Sequence, residues 1–83
     1  MAKKYIVYGA SWCNFCKKAI ALLDLNGLEY HFLDAAEDRS LLKEIKDFYK
    51  SSTVPVIVSI DKQSGLVSKI GGFTDLERVL SKQ

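Results

Sequence analysis

The sequence predicts an α/β domain in which three helices cover a mixed four-stranded sheet, in the chain order β-α-β-α-β-β-α. Short runs of β-branched and aromatic residues alternate with segments whose apolar residues recur every three or four positions. The last two strand-like runs are separated only by a polar segment that contains glycine, which is typical of a hairpin. A length of 83 residues fits one domain, 1–83, with a single core.

The first strand and helix are predicted from a change in apolar period. Residues 5–8 (YIVY) form a short buried strand that ends at Gly9. From Asn14 onward, apolar residues lie three and four positions apart until 26-NG-27, where glycine permits the left-handed conformation that ends a helix. This helix therefore begins soon after a strand, as in a β-α-β unit.

The second strand and helix repeat this arrangement. Residues 29–33 (EYHFL) alternate, which places Tyr30 and Phe32 on one face and His31 on the opposite, solvated face. Residues 38–40 (DRS) open a helix with one apolar and one charged face. Its apolar residues are Leu41, Leu42, Ile45, Phe48 and Tyr49.

The third and fourth strands form the predicted hairpin. Residues 53–60 (TVPVIVSI) read as an apolar strand with its proline near the start, where a missing N–H does least harm. The polar loop 61–65 (DKQSG) leads to the returning strand 66–70 (LVSKI). Because helices join the first three strands, we expect those three to pair in parallel through right-handed crossovers.

The last helix is predicted from its N-terminal pattern. Gly71 and Gly72 break the preceding strand, and Thr74-x-x-Glu77 then matches a capping box. The helix bears apolar residues three and four positions apart: Leu76, Val79 and Leu80.

Composition and charge exclude several classes of function. Hydrophobic residues make up 48% of the chain and charged residues 27%, which fits a folded domain and neither a membrane span nor a disordered chain. The net charge is +2 and the charges are interleaved, so nucleic-acid binding is not predicted. The apolar run after the first lysines is shorter than the ~7 to 15 residues of a signal peptide. We therefore expect a cytoplasmic monomer that does not bind membranes.

The two cysteines of the chain, Cys13 and Cys16, lie at the start of the first helix. Thiols so close together cannot link distant parts of a core, which leaves reactivity or metal binding. A thiol attacks as thiolate, and the free N–H groups and dipole of a helix N-terminus lower the pKa of a cysteine there. We predict that Cys13 is the exposed, attacking thiolate, assisted by Lys17 and Lys18, and that Cys16 is the more buried, resolving thiol.

Two other interpretations of the cysteine pair are weaker. Inert core cysteines are common, but Cys13 precedes the apolar period of the helix. Structural zinc needs four ligands, and besides the cysteines the chain offers His31 alone as an imidazole or thiolate ligand. We therefore predict no bound metal.

Three separated motifs make the sequence similar to glutaredoxins, small members of the thioredoxin-fold superfamily. They are 13-CNFC-16 after a strand, 53-TVP-55 at the start of the third strand, and 71-GG-72 followed by 73-FTD-75. The resemblance covers nearly the whole chain. It implies a thioredoxin-like fold and a dithiol oxidoreductase with no bound cofactor, for which glutathione is a co-substrate.

The resemblance also implies a glutathione groove beside the cysteines. Pro55 corresponds to the family's cis-proline, and the backbone of Val54 would pair with the cysteinyl part of glutathione. The N–H groups around Thr74 would hold the γ-glutamyl carboxylate and Asp75 its ammonium, although helix capping alone would also explain both residues. The groove residues implied in this way are Phe15, Lys50, Thr53, Val54, Pro55, Gly72, Thr74 and Asp75.

The chain departs from the family pattern around the cysteines. Asn14 and Phe15 stand where glutaredoxins usually have Pro and Tyr. The preceding residues, 10-ASW-12, lack the lysine with which many relatives hold the glycyl carboxylate of glutathione, a role left to Lys50 or Arg39. The tryptophan in this segment is instead similar to that of thioredoxins.

The resulting hypothesis is a glutathione-dependent glutaredoxin that reduces protein disulfides or glutathione mixed disulfides, with ribonucleotide reductase as a client by family analogy. A first alternative is a redoxin recharged by thioredoxin reductase, which Trp12 and the missing lysine favour. A second is an iron–sulfur carrier in which two copies hold a 2Fe–2S cluster through Cys13 and two glutathiones.

Overall fold

The computed structural model describes residues 3–82, and its elements follow the order predicted from the sequence. The strands are β1 (Lys3–Gly9), β2 (Tyr30–Asp34), β3 (Val56–Asp61) and β4 (Val67–Gly71), and the helices are α1 (Asn14–Leu25), α2 (Arg39–Phe48) and α3 (Phe73–Ser81). None of these helices is long and apolar enough to cross a membrane, as far as the described residues extend.

The four strands form one mixed sheet in the order β2-β1-β3-β4. β1 and β2 are parallel, whereas β3 runs antiparallel to β1 and β4 antiparallel to β3. The expectation that the first three strands all pair in parallel is therefore wrong for β3. After α2, residues 49–55 return the chain to the end of the sheet at which β1 finishes, so that Val56 lies opposite Tyr8.

The main core lies between one face of the sheet and the helices α1 and α3. Its buried side chains are Tyr5, Val7, Ala19, Leu23, Ile57 and Leu76. Complete burial of an aliphatic or aromatic side chain contributes about 1.5–3 kcal/mol. This cluster therefore fixes the position of α1, whose first residues carry the cysteines.

α2 packs on the opposite face of the sheet. Its buried residue is Ile45, and the ring of Tyr49, which follows the helix, lies 5.6 Å from the ring of Tyr8. Phe48, predicted for the apolar face of this helix, is 76% exposed and touches Tyr49 edge-on instead of the sheet. That part of the prediction is wrong, because the side chain of Phe48 faces solvent instead of the sheet.

The ends of α1 and α2 follow their sequence signals. α1 stops at Asn26, and Gly27 has a φ of +64°, a left-handed conformation that glycine adopts without steric cost. α2 starts at Asp38, whose carboxylate accepts a hydrogen bond from the N–H of Leu41 at 2.9 Å. This side-chain cap satisfies one of the free N–H groups of the first turn.

α3 starts earlier than the predicted capping box implies. Gly72 is the N-cap residue, and its N–H donates to the carboxylate of Asp75 at 3.0 Å. Thr74 already lies inside the helix, so the predicted pairing of Thr74 with Glu77 is wrong. The helix uses the acidic residue three positions after the glycine, which is the second half of a capping box.

Candidate active site

Cys13 is the N-cap residue of α1, a few residues beyond the end of β1. Its sulfur accepts a hydrogen bond from the N–H of Cys16 at 3.3 Å, and its own N–H donates to the carbonyl of Ala10 at 3.0 Å. A cap side chain accepts the N–H groups of the first helical turn, which have no partner within the helix. The sulfur predicted to be the nucleophile therefore accepts a hydrogen bond from an N–H and lies at the positive end of the helix dipole.

Both sulfurs are buried. Cys13 is 7% exposed and Cys16 is 1% exposed, and with Ala10 they form a small cluster against which Ala36 and Val54 pack. The expectation that Cys13 is exposed is therefore wrong, because residues distant in the sequence shield it.

Cys16 is held as a neutral thiol. Burial, and secondarily its hydrogen bond with Cys13, raises its pKa from the ordinary value of 9.0 to about 12. Negative charge on Cys13 raises the pKa of Cys16 further, because two neighbouring thiolates repel each other. A protonated Cys16 does not compete with Cys13 as a nucleophile, which fits a thiol that acts second.

The loop before Cys13 is fastened to the end of β2. One carboxylate oxygen of Asp34 accepts hydrogen bonds from the N–H of Ser11 at 3.2 Å and from the N–H of Ala36 at 2.9 Å. Because β2 is part of the sheet, these bonds transmit its rigidity to the loop. Asp34 was not predicted as a site residue, although an aspartate at the end of a strand is a common acceptor for loop N–H groups.

Val54 and Pro55 lie beside the attacking sulfur. The thiol of Cys13 donates to the carbonyl of Val54 at 3.9 Å, and the Val54–Pro55 peptide bond is cis, as the resemblance implies. Both residues precede β3, which starts at Val56, so the strand predicted over 53–60 begins three residues too early. The backbone of Val54 is thereby left outside the sheet ladder, next to Cys13.

A groove of about 570 Å³ runs past this point. The loop 50–55 forms one side, the segment 69–75 forms the other, and Phe15 stands at the end near the cysteines. All of the groove residues implied by the resemblance line it: Phe15, Lys50, Thr53, Val54, Pro55, Gly72, Thr74 and Asp75. The structure brings these residues together, and their role in binding glutathione stays a prediction.

Phe73 and Lys69 also line the groove, although the sequence did not predict either as a groove residue and Phe73 entered only as part of the motif 73-FTD-75. The rings of Phe73 and Phe15 lie 6.1 Å apart, and the ammonium of Lys18 lies 5.1 Å from the ring of Phe15. The ammonium of Lys69 donates to the carbonyl of Lys50 at 3.4 Å, which joins β4 to the loop after α2.

The first turn of α3 lines the groove through Phe73, Thr74 and Asp75. Besides capping Gly72, the carboxylate of Asp75 pairs with Arg78 at 3.2 Å. Thr74 is exposed beside it. An exposed ion pair contributes little stability, so Arg78 holds the carboxylate of Asp75 only weakly.

The two cations proposed to replace the missing lysine lie in different places. Lys50 lines the groove, whereas Arg39 lines a second cleft beside Trp12.

His31 is exposed on β2. Across residues 3–82, no group of three or more His, Cys, Asp or Glu side chains is placed to hold a metal ion.

Comparison with known proteins identifies a family. The family model described as Glutaredoxin matches residues 5–64. Comparison with curated protein sequences finds no significant match. Among solved structures, glutaredoxin 1 from Francisella tularensis, complexed with cacodylate, is 27% identical with a TM-score of 0.66, and the match covers 98% of this chain and 95% of that chain.

Two thioredoxins share the fold. Mitochondrial thioredoxin 3 from Saccharomyces cerevisiae is 22% identical with a TM-score of 0.59, over 98% of this chain and 78% of its own. Fasciola hepatica thioredoxin is 19% identical with a TM-score of 0.57, over 98% of this chain and 80% of its own. At these identities the likeness shows the fold alone, which is thioredoxin-like as predicted.

Proposed function

The chain belongs to the glutaredoxin family of thiol–disulfide oxidoreductases, and we propose that it uses glutathione to reduce protein disulfides and glutathione mixed disulfides. The observation that carries the proposal is the position of the Cys13 sulfur. It caps α1, lies 3.3 Å from the N–H of Cys16, and sits beside Val54 at the groove. Nucleophile, resolving thiol and a site for an extended peptide are thus adjacent.

The first step is attack by the Cys13 thiolate. The N–H of Cys16 and the dipole of α1 stabilise its negative charge, since hydrogen bonds to an anion are stronger than those to a neutral acceptor. In a glutathionylated client the thiolate attacks the glutathione sulfur. The sulfur–sulfur bond to the client breaks, and the client cysteine leaves as a thiolate. One disulfide is exchanged for another, now between Cys13 and glutathione.

The second step restores Cys13 by one of two routes. The thiolate of another glutathione attacks the bound glutathione sulfur, which forms oxidised glutathione and releases the Cys13 thiolate. When the client is a protein disulfide, the mixed disulfide joins Cys13 to the client. Cys16 then loses its proton and attacks the Cys13 sulfur, which releases the fully reduced client. Two glutathiones reduce the resulting Cys13–Cys16 disulfide and leave as oxidised glutathione.

The groove suits a tripeptide with charged ends. A volume of about 570 Å³ lies within the range of about 300–1,000 Å³ for small-ligand sites. The cysteinyl backbone of glutathione pairs with Val54 as an added strand would. Its γ-glutamyl carboxylate meets the N–H groups near Thr74 and its ammonium meets Asp75. Lys50 takes the glycyl carboxylate, because Arg39 lines the other cleft.

The cellular setting proposed for this activity is the cytoplasm, where glutathione keeps thiols reduced. The protein acts as a monomer with no bound cofactor and with no nucleic-acid or membrane partner. Ribonucleotide reductase, or another enzyme whose disulfide must be reduced after each turnover, is the proposed kind of client.

A two-tube assay tests the choice of reductant. Reduction of 2-hydroxyethyl disulfide is followed with glutathione plus glutathione reductase in one tube and with thioredoxin reductase in the other. We expect turnover in the first tube. Turnover in the second alone would overturn glutathione as the reductant and support the alternative that Trp12 suggests. Protein that is brown and dimeric after anaerobic purification with glutathione would support the cluster carrier.

Substitution of each cysteine tests the roles of the two thiols. We expect Cys13→Ser to abolish all activity. Cys16→Ser should retain the removal of glutathione from a client and lose the reduction of protein disulfides, because only the latter needs a second thiol. Full activity of Cys13→Ser would contradict the assignment of the nucleophile.

A further inference from the structure

A second cleft lies beside the active site, on the side of Trp12. It has a volume of about 610 Å³ and shares Ser51 and Ser52 with the glutathione groove. It is termed the Trp12 cleft here, and its other main lining residues are Trp12, Arg39, Leu42, Lys43, Lys46 and Asp47. The groove and the Trp12 cleft meet at Ser51 and Ser52, in the loop before Val54. A polypeptide bound in the Trp12 cleft therefore passes close to Cys13.

The Trp12 cleft carries most of its charge as cations. Arg39, Lys43 and Lys46 line it, against the single carboxylate of Asp47. These cations are three and four residues apart along α2 and so share one face of the helix. The salt bridges found within residues 3–82 involve other side chains, so none of the three is neutralised by a partner within 4.0 Å.

Trp12 supplies an aromatic surface at the same place. Its side chain is 64% exposed although it directly precedes the buried nucleophile. Exposed tryptophans beside a reactive residue are typical anchors of protein interfaces, because one large ring buries a large apolar area when a partner binds. An aromatic ring beside unpaired cations matches a polypeptide that carries acidic residues near an apolar one.

We propose that the Trp12 cleft binds an acidic stretch of the client polypeptide, next to the client cysteine that Cys13 attacks. The inference rests on the proposed function, because it requires Cys13 to react with a protein client. Acidic side chains face Lys43 and Lys46 while the client backbone passes over Trp12. Complementary charge accelerates encounter and discriminates against basic clients.

Binding is tested with a pair of cysteine-free peptides that differ only in Glu against Gln beside one apolar residue. Trp12 is the only tryptophan of the chain, so its fluorescence reports on the cleft directly. We expect the acidic peptide to bind at least about fivefold more tightly at low ionic strength. The preference should shrink toward unity at about 0.5 M salt, because exposed charges are then screened.

Reactivity is tested with the glutathione mixed disulfides of cysteine-containing versions of the two peptides. Single-turnover release of the peptide thiol by the reduced protein does not depend on the reductant that later recharges it. We expect the same preference of at least about fivefold, and we expect the double substitution Lys43→Gln and Lys46→Gln to reduce it to less than about twofold. The rate with uncharged 2-hydroxyethyl disulfide should not change in this variant.

A matched control removes the same amount of charge elsewhere. Lys3 begins β1 and Lys82 follows α3, and neither lines the cleft. The double substitution Lys3→Gln and Lys82→Gln should keep the preference for the acidic peptide. Equal binding and equal reaction of the two peptides with the unsubstituted protein would overturn the inference. So would an undiminished preference after loss of Lys43 and Lys46.

The outcome separates this inference from the proposed function. Failure of glutathione to recharge the protein, together with a retained peptide preference, would reject the reductant and keep the cleft. Normal turnover with glutathione and no peptide preference would reject the cleft and keep the activity. The variant that lacks Lys43 and Lys46 could also lose as much rate toward 2-hydroxyethyl disulfide as toward the peptide. That result would assign these lysines to the glutathione reaction and refute client docking.

Discussion

Cys16 makes the stability of the reduced protein sensitive to alkaline pH. Burial raises its pKa from 9.0 to about 12 in the folded chain, whereas unfolding returns the thiol to water. The folded state therefore holds this proton more tightly, so stability is fully present below the unfolded value and is lost as the pH rises toward the folded one. The loss approaches about 1.4 kcal/mol per pH unit once the unfolded thiol is ionised, so the free energy of unfolding falls by about 2 kcal/mol in total between about pH 8 and about pH 10.5.

Urea unfolding under argon, followed by circular dichroism, measures this loss. Cys16→Ser is the matched control, because serine does not ionise in this range. Tyr8, whose pKa burial raises to about 12, contributes equally in both chains and cancels in the difference. Repeating the pair in a Cys13→Ser background removes the contribution of charge on Cys13 and leaves that of burial.

Parallel pH profiles for the unsubstituted chain and Cys16→Ser would contradict a raised pKa of Cys16 in the folded protein. They would show that Cys16 exchanges its proton as freely in the folded protein as in the unfolded one. Its role as a protonated, waiting thiol would then lose its physical basis. A difference that disappears in the Cys13→Ser background would instead assign the effect to charge repulsion and not to burial.

Three further substitutions test the packing around the site. Gly9→Ala places a methyl group against the sulfur of Cys16, and we expect it to lower the free energy of unfolding by about 1–3 kcal/mol; an unchanged urea midpoint would contradict this contact. Asp34→Ala removes the acceptor for two N–H groups at the active-site loop, so we expect the free energy of unfolding to fall by about 1 kcal/mol and Cys13 to be alkylated more slowly. Asp34→Asn keeps an acceptor oxygen and should lose less of both; indistinguishable Ala and Asn variants would argue against this role of Asp34. Leu76→Ala empties a fully buried position and should cost about 2–5 kcal/mol by urea titration, against less than about 1 kcal/mol for the partly exposed Val79→Ala; similar losses would be inconsistent with the described core.

The order of elements was predictable because each run has a local signal. The period of β1 changes at α1, and Gly27 and Asp38 mark helix ends through their own conformation and side chain. The direction of β3 has no such signal. Residues 49–55 span up to roughly 23 Å when extended, which is enough to bring the chain to either end of the sheet. The sequence of this loop has no strand or helix pattern that would indicate which end of the sheet the chain reaches.

In the active site, too, some features could be predicted from neighbouring residues and others depend on distant parts of the chain. Cys13 could be placed at a helix N-terminus from its own neighbours, but its burial depends on Val54, which lies 41 residues away. The groove could be anticipated from the family motifs alone, since no local pattern reports that Lys69 contacts the loop at Lys50. Long-range contacts of this kind decide accessibility, and accessibility is what the sequence interpretation of Cys13 had wrong.

The two sulfurs differ because one helical turn gives them opposite surroundings. Cys13 receives an N–H, while Cys16 is buried and remains protonated. When Cys13 enters a mixed disulfide its charge disappears, which removes one of the causes that raise the pKa of Cys16 and favours loss of its proton at the moment it is needed. Burial, the largest cause, persists through this step. In the proposed cycle a second glutathione reacts from solvent without that restriction. We therefore expect removal of glutathione from a client to proceed faster through glutathione than through Cys16, and we propose that the buried thiol serves clients whose own disulfide must be opened.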